Sequence, residues 1–115
     1  MKRIMIVEDD PTMLGSLALL FEKDYEVERF SDGEAALRRL KEDGFDLVIA
    51  DLFLNGVTGL DLYEAARDKG RFLLITGYPE RELAVKAKER LGERFIAKTG
   101  VPEGLRARVE TLIGS

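Results

Sequence analysis

The chain has 115 residues, 45% of them hydrophobic and 35% charged, and a formal net charge of −4. That length suits one domain with one core, and no apolar run approaches the ~20 residues that cross a bilayer. The absence of His and Cys excludes a zinc site of the usual kind, a Ser-His triad and a phosphohistidine, while the acidic balance argues against a general nucleic-acid surface.

The first strand is predicted over Lys2 to Val7, where Ile4, Met5, Ile6 and Val7 form a near-continuous apolar run. Its closeness to Met1 leaves no room for a signal peptide and, with the lack of Cys, sets the expectation of a cytoplasmic protein. Glu8-Asp9-Asp10-Pro11 follows, with Asp10 as N-cap and Pro11 at the first position of a helix carrying Met13, Leu14, Leu17, Ala18 and Phe21 inward. Tyr25 to Phe30 alternates apolar with charged residues, as an edge strand does. Ser31-Asp32-Gly33-Glu34 has capping-box spacing, and Ala36, Leu37 and Leu40 form the stripe of a second helix, which Gly44 ends.

Leu47 to Ala50 reads as a third strand buried on both faces, and it stops abruptly at Asp51. A loop with Asn55 and Gly56 leads to Thr58-Gly59-Leu60-Asp61, again with capping-box spacing, and a third helix runs to about Asp68. Phe72 to Ile75 is a fourth buried strand, ending in Thr76. Pro79 is expected to open a fourth helix, with Glu80 and Glu82 near its positive end and Leu83, Ala84, Ala87 and Leu91 inward. Phe95 to Ala97 is a fifth strand ending in Lys98, and a last helix begins at Pro102 and Glu103 with Leu105, Val109 and Leu112 inward. Strands alternating with helices in this way define an α/β domain over residues 1–115, a parallel sheet covered on both faces through right-handed crossovers.

In a parallel sheet all strand carboxyl ends share one edge, where open α/β folds place their ligands. Glu8-Asp9, Asp51, Thr76 and Lys98 therefore become one constellation. Two unit charges ~4 Å apart repel by ~4 kcal/mol at an effective dielectric of 20, so the three carboxylates require a cation. Oxygen donors without His or Cys favour a hard ion, Mg²⁺. With Lys98 and Mg²⁺ the formal charges cancel, and the site can accept a phosphoryl group on Asp51, neutralised by metal and Lys98, with Thr76 donating its hydroxyl.

The chain resembles the receiver (response-regulator) domain of two-component signalling over essentially its whole length. The carriers are Ile4-Met5-Ile6-Val7-Glu8-Asp9-Asp10, Asp46-Leu47-Val48-Ile49-Ala50-Asp51 with Gly59 eight residues on, Leu74-Ile75-Thr76-Gly77 and Phe95-Ile96-Ala97-Lys98. The resemblance implies a flavodoxin-like, doubly wound fold with strand order 2-1-3-4-5 and five helices. It implies phosphoryl transfer to Asp51 from the phosphohistidine of a histidine kinase or phosphotransfer protein. Glu8, Asp9, Asp51 and the backbone carbonyl of Phe53 would hold Mg²⁺, and Lys98 would pair with the phosphoryl group. Thr76 would be the switch hydroxyl, and Phe95 the switch aromatic that turns inward and alters the surface of the fourth helix, fifth strand and fifth helix. Beyond self-phosphorylation and self-dephosphorylation at Asp51, no enzyme activity is implied.

Three departures stand out. Thr99 replaces the Pro that usually follows the lysine, and a cis bond before a non-Pro residue costs ~2.5–4 kcal/mol, so a trans Lys98–Thr99 peptide or a reshaped loop is expected. Asn55 also stands where the family commonly has Pro, and the segment between Asp51 and Thr76 is short, so the third helix or its loop should be trimmed. Phe53 and Tyr78 would flank the acyl phosphate, where bulky rings obstruct water and lengthen its life.

Two other functions remain open from the residues: a degenerate receiver that binds partners without phosphorylation, and a small Mg²⁺-dependent phosphohydrolase using Asp51 as nucleophile. The complete set of five site residues counts against the first. The lack of room for a substrate cap, and of a second general acid, counts against the other. Glu8-Asp9-Asp10 would repel the phosphate of a flavin. No DNA-binding or catalytic segment follows the fifth helix, so the output is expected from a separate protein or a further domain. Monomer and phosphorylation-dependent dimer are both compatible with the last two helices.

Overall fold

A computed structural model describes residues 1–114. Five strands, β1 (Arg3–Val7), β2 (Glu26–Phe30), β3 (Leu47–Asp51), β4 (Phe72–Thr76) and β5 (Phe95–Ala97), form one parallel sheet in the order β2-β1-β3-β4-β5. Five helices connect or follow them: α1 (Pro11–Phe21), α2 (Gly33–Glu42), α3 (Gly59–Ala65), α4 (Glu82–Leu91) and α5 (Leu105–Ile113). The expected α/β architecture and strand order are those observed.

The pleat explains how one chain fills two cores. Successive side chains of a strand point to opposite faces, so Ile4, Ile6, Leu47, Ile49, Leu73 and Ile75 pack with α1 and α5. Met5, Val7, Val48, Ala50, Phe72 and Leu74 pack with α2, α3 and α4 on the other face. The central strands are buried on both sides, which is why they read as unbroken apolar runs. The edge strand β2 instead has only exposed and half-buried positions.

Helix starts show where local signals hold. Asp10 accepts from the Thr12 N–H at 3.0 Å, with Pro11 beginning α1. At α3 the Thr58 hydroxyl accepts from the Asp61 N–H at 3.2 Å while Asp61 accepts from the Thr58 N–H at 2.9 Å, the full reciprocal box. At α2, by contrast, Asp32 rather than Ser31 is the cap, accepting from the Glu34 N–H at 3.1 Å.

Three boundaries differ from expectation. Helix α3 stops at Ala65 instead of near Asp68, because Ala66 turns extended to bury its methyl. The Lys69 ammonium then donates to the freed carbonyls of Glu64 and Ala66 at 2.9 and 3.2 Å. Helix α4 begins at Glu82, three residues after Pro79, since Tyr78 to Arg81 form a turn closed by the Arg81 N–H on the Tyr78 carbonyl at 3.2 Å. Helix α5 begins at Leu105, since Gly104 takes a left-handed conformation (φ 71°) that a helix cannot include. Its deepest residue in the last turn is Ile113, with Leu112 only half-buried.

At the sheet's amino edge, Glu28 of β2 accepts from Arg3 Nη2 at 2.8 Å and from Arg39 Nε and Nη2 at 2.8 and 3.0 Å. Arg3 also donates to Asp43 at 2.8 Å, and the Phe45 ring lies under both guanidiniums, 4.7 Å from Arg3 and 5.3 Å from Arg39. The Arg39 hydrogen bonds, opposed by partial burial and reinforced by Arg3, hold the Glu28 carboxyl below its ordinary 4.5. A carboxyl lowered by folding stabilises above its unfolded pKa and loses that contribution as pH falls through the folded value. Glu28→Gln should therefore cost about 1 kcal/mol at pH 7, a partly buried network exceeding a lone surface pair. Urea titrations should show the gap between variant and wild type closing in acid; a gap unchanged at low pH would assign the loss to packing.

Candidate functional site

Register assembles the site. Val7 lies beside Ala50, Asp51 beside Ile75, and Thr76 beside Ala97. The residues one step further, Glu8 and Lys98, therefore arrive at the same carboxyl edge as Asp51. The Lys98 N–H donates to the Thr76 carbonyl at 2.8 Å, continuing the ladder past β5. The described peptides are trans, Lys98–Thr99 included, as expected for a non-Pro residue.

At this edge lies a cleft of about 430 Å³ whose walls include Glu8, Asp9, Asp51, Phe53, Tyr78 and Lys98. One carboxylate oxygen from each of Glu8, Asp9 and Asp51 lies within 4.8 Å of the others. Asp51 is anchored by the Phe53 N–H at 3.3 Å. Glu8 is 8% exposed and is pushed up to about 8, first by burial and then by the hydrogen bond and negative charge of Asp51. Burial also raises Asp51 above its ordinary value, against the lowering effect of the Glu8 hydrogen bond. A buried and a half-buried acid that each resist ionisation form a site that lacks positive charge. A hard divalent cation bound by oxygen donors supplies it, so these residues fit Mg²⁺.

The two residues expected to act as the switch, Thr76 and Phe95, are not among the walls of the cleft. Thr76 is fully buried, and its hydroxyl accepts from the Tyr78 N–H at 3.0 Å. It shares pleat parity with Phe72 and Leu74 on the α2–α4 face, whereas Asp51 shares parity with Ile49 on the α1–α5 face. Phe95 is already packed inward at 9% exposure, on the same face as Ala84, Ala87 and Leu91 of α4. The structure thus gathers Glu8, Asp9, Asp51, Phe53, Tyr78 and Lys98 on the cleft, with Thr76 and Phe95 outside its walls.

Sequence reasoning missed Gly77 and Thr99 as cleft walls. A Cβ at Gly77 would fall 2.8 Å from Thr99 Cγ2, so the missing side chain makes room for the threonine methyl in the adjoining loop. No local pattern pairs residues so far apart in the chain. It also missed Arg81, whose guanidinium lies 4.2 Å from the Tyr78 ring centroid and 5.0 Å from that of Phe53. The available signal was a cation at a helix start, contrary to the usual charge preference.

A doubly wound sheet with an acidic pocket at its carboxyl edge places that pocket where open α/β domains bind their ligands. Residues 4–110 match the family model of the response regulator receiver domain. The regulatory protein VanRB of Enterococcus faecalis is 31% identical over 96% of this chain and 52% of its own length. The sensor histidine kinase TmoS of Ectopseudomonas mendocina is 31% identical over 96% of this chain and 12% of its own. The chain thus spans about half or less of these curated relatives. Among solved structures, the response regulator protein TrrA from Thermotoga maritima, in complex with Mg²⁺-BeF, superposes with a TM-score of 0.77 at 29% identity, covering 97% of this chain and 99% of that one. A receiver domain protein from Clostridium thermocellum (TM-score 0.82, 21% identity, 98% and 94% covered) shares the fold. The chain belongs to the response regulator receiver family.

No helix among the described residues is long and apolar enough to cross a membrane.

Proposed function

We propose that the chain is a phosphorylation-dependent switch in which Asp51 takes a phosphoryl group from a phosphohistidine of a kinase or phosphotransfer protein. The observation carrying this reading is the convergence of Glu8, Asp9 and Asp51 within 4.8 Å on a cleft that Lys98 also lines. Glu8, Asp9, Asp51 and the Phe53 carbonyl would hold Mg²⁺, which when bound offsets the charge of the carboxylates and of an incoming phosphoryl group.

The chain's own residues do the rest. An Asp51 oxygen attacks phosphorus, the P–N bond to the donor imidazole breaks, and its electron pair stays on the leaving nitrogen. The Phe53 N–H orients the Asp51 carboxylate by donating to its Oδ1. Lys98, exposed at the cleft, pairs with the phosphoryl oxygens. For Thr76 to reach them, its hydroxyl must release the Tyr78 N–H and cross from the α2–α4 side. That movement would empty space beside Phe95, which already lies inward against α4, and so reshape the α4–β5–α5 surface. The same rings that line the cleft, Phe53 and Tyr78, restrict water and give a long-lived phosphoryl group.

Incubation with acetyl phosphate and Mg²⁺ tests the reading by intact mass and peptide mapping. One added phosphoryl group on the peptide containing Asp51, persisting for minutes or longer, is expected. Continuous turnover of phosphate esters would favour the phosphohydrolase, and no labelling would favour the phosphorylation-independent binder.

A further inference from the structure

We propose that Arg81 is a positioning residue that clamps Phe53 and Tyr78 over the cleft and thereby sets the lifetime of phosphorylated Asp51. This deepens the relay reading above and rests on it. The two rings come from different loops, β3–α3 and β4–α4, and meet edge to face with centroids 6.0 Å apart at 76°. Both line the cleft, but Arg81 does not. Its guanidinium lies over both rings at once, so it acts on the cleft only through them.

The placement of this cation runs against local preference. Arg81 is the N-cap of α4 and makes no side-chain cap hydrogen bond. A positive charge there opposes the helix dipole, and a Ser, Asp or Asn would satisfy the free N–H groups better. Two ring contacts offset that cost, and such local conflicts concentrate at functional positions.

Among the contacts of Tyr78, its backbone N–H is held by the Thr76 hydroxyl at 3.0 Å and its ring by Arg81 at 4.2 Å and by the edge of Phe53. When Thr76 leaves for the phosphoryl group, the backbone hold is lost and the half-exposed ring depends on Phe53 and on Arg81, which braces both rings. Hydrolysis requires a water oxygen to bond to phosphorus while the P–O bond to Asp51 breaks. The electron pair returns to the carboxylate, and both of the water's protons leave with inorganic phosphate. The water must pass the wall the rings form, and a clamped wall admits it less often.

The test compares wild type, Arg81→Met, which keeps the apolar stem, and Arg81→Lys, which keeps the charge. A Phe53→Ala/Tyr78→Ala double variant is compared with and without Arg81→Met. Each is loaded with acetyl phosphate and Mg²⁺, freed of donor, and followed by intact mass. Arg81→Met should lose its phosphoryl group about fivefold faster, since each ~1.4 kcal/mol is a tenfold change in rate, and Arg81→Lys should recover most of the difference. In the ring-less background Arg81→Met should change nothing, because residues acting as one unit are not additive. Independently of phosphate and metal, nuclear Overhauser contacts between the Arg81 side chain and the Tyr78 ring should appear in the unmodified protein. Equal lifetimes for wild type and Arg81→Met, or the same acceleration without the rings, would overturn the proposal. Wild type that takes up no phosphoryl group would refute the relay reading, while missing Arg81–Tyr78 contacts would refute the clamp by itself.

Discussion

Asp51→Asn abolishes labelling by acetyl phosphate and at the same time makes the metal-free protein more stable at pH 7. The first outcome follows from the loss of the only oxygen nucleophile proposed at the strand end. The second follows from the acid cluster. In wild type, burial and then Asp51 push the Glu8 carboxyl up to about 8 from an ordinary 4.5. A group whose pKa is raised by folding gives its full stabilisation below the unfolded value and loses it as pH rises through the folded one. Metal-free wild type should therefore lose stability between about pH 4.5 and about 8, and Mg²⁺ should restore it. Replacing Asp51 with a neutral amide removes one of the opposing charges and should recover about 1–3 kcal/mol at pH 7. Thermal melts with and without Mg²⁺ measure this directly. A less stable Asp51→Asn protein, or Mg²⁺ stabilising it as much as wild type, would show that the acids do not form one cation site.

Gly59→Ala destabilises the protein by about 1–3 kcal/mol, at the larger end for overpacking because the obstructing atoms are mostly backbone. A Cβ there would lie 2.4 Å from the Asp51 carbonyl oxygen, 2.9 Å from Leu52 Cα and 2.5 Å from Leu74 Cδ1. The Gly59 N–H donates to the Leu52 carbonyl at 2.9 Å, so the start of α3 is bonded directly onto the end of β3. Relieving the clash moves either α3 or Asp51, and phosphoryl uptake should slow together with the drop in urea midpoint. Gly15→Ala is the matched control: it lies inside α1 with nothing within 4 Å of its added carbon, so it should be neutral or slightly stabilising. A Gly59→Ala midpoint equal to wild type would mean that α3 shifts at no cost.

How much was legible beforehand varied by element. Strands β3 and β4 announce themselves, since burial on both faces demands unbroken apolar runs and their polar ends mark the edge of the sheet. The box at Thr58–Asp61 was equally plain, because both partners lie within one turn. Helix α4 was placed three residues early: Pro79 fits a helix start and a turn equally well. The choice between them is made by the Arg81 N–H on the Tyr78 carbonyl and by the Thr76 hydroxyl on the Tyr78 N–H. Thr76 shows the same limit more sharply. Its place at a strand end suggested the cleft, yet strand periodicity turns its side chain to the face opposite Asp51.

The order and identity of the strand ends, Glu8-Asp9, Asp51, Thr76 and Lys98, were determined by the sequence alone, and with them the α/β class, while the family rested on resemblance at those same motifs. The strand ends and the class are one-dimensional facts: apolar run length, period and spacing. Which of those side chains share a cleft, that Gly77 makes room for the Thr99 methyl, and that Arg81 spans Phe53 and Tyr78 were decided only by the tertiary structure. Each depends on the registers of neighbouring strands and on loops separated by more than twenty residues, and no local interaction encodes that distance.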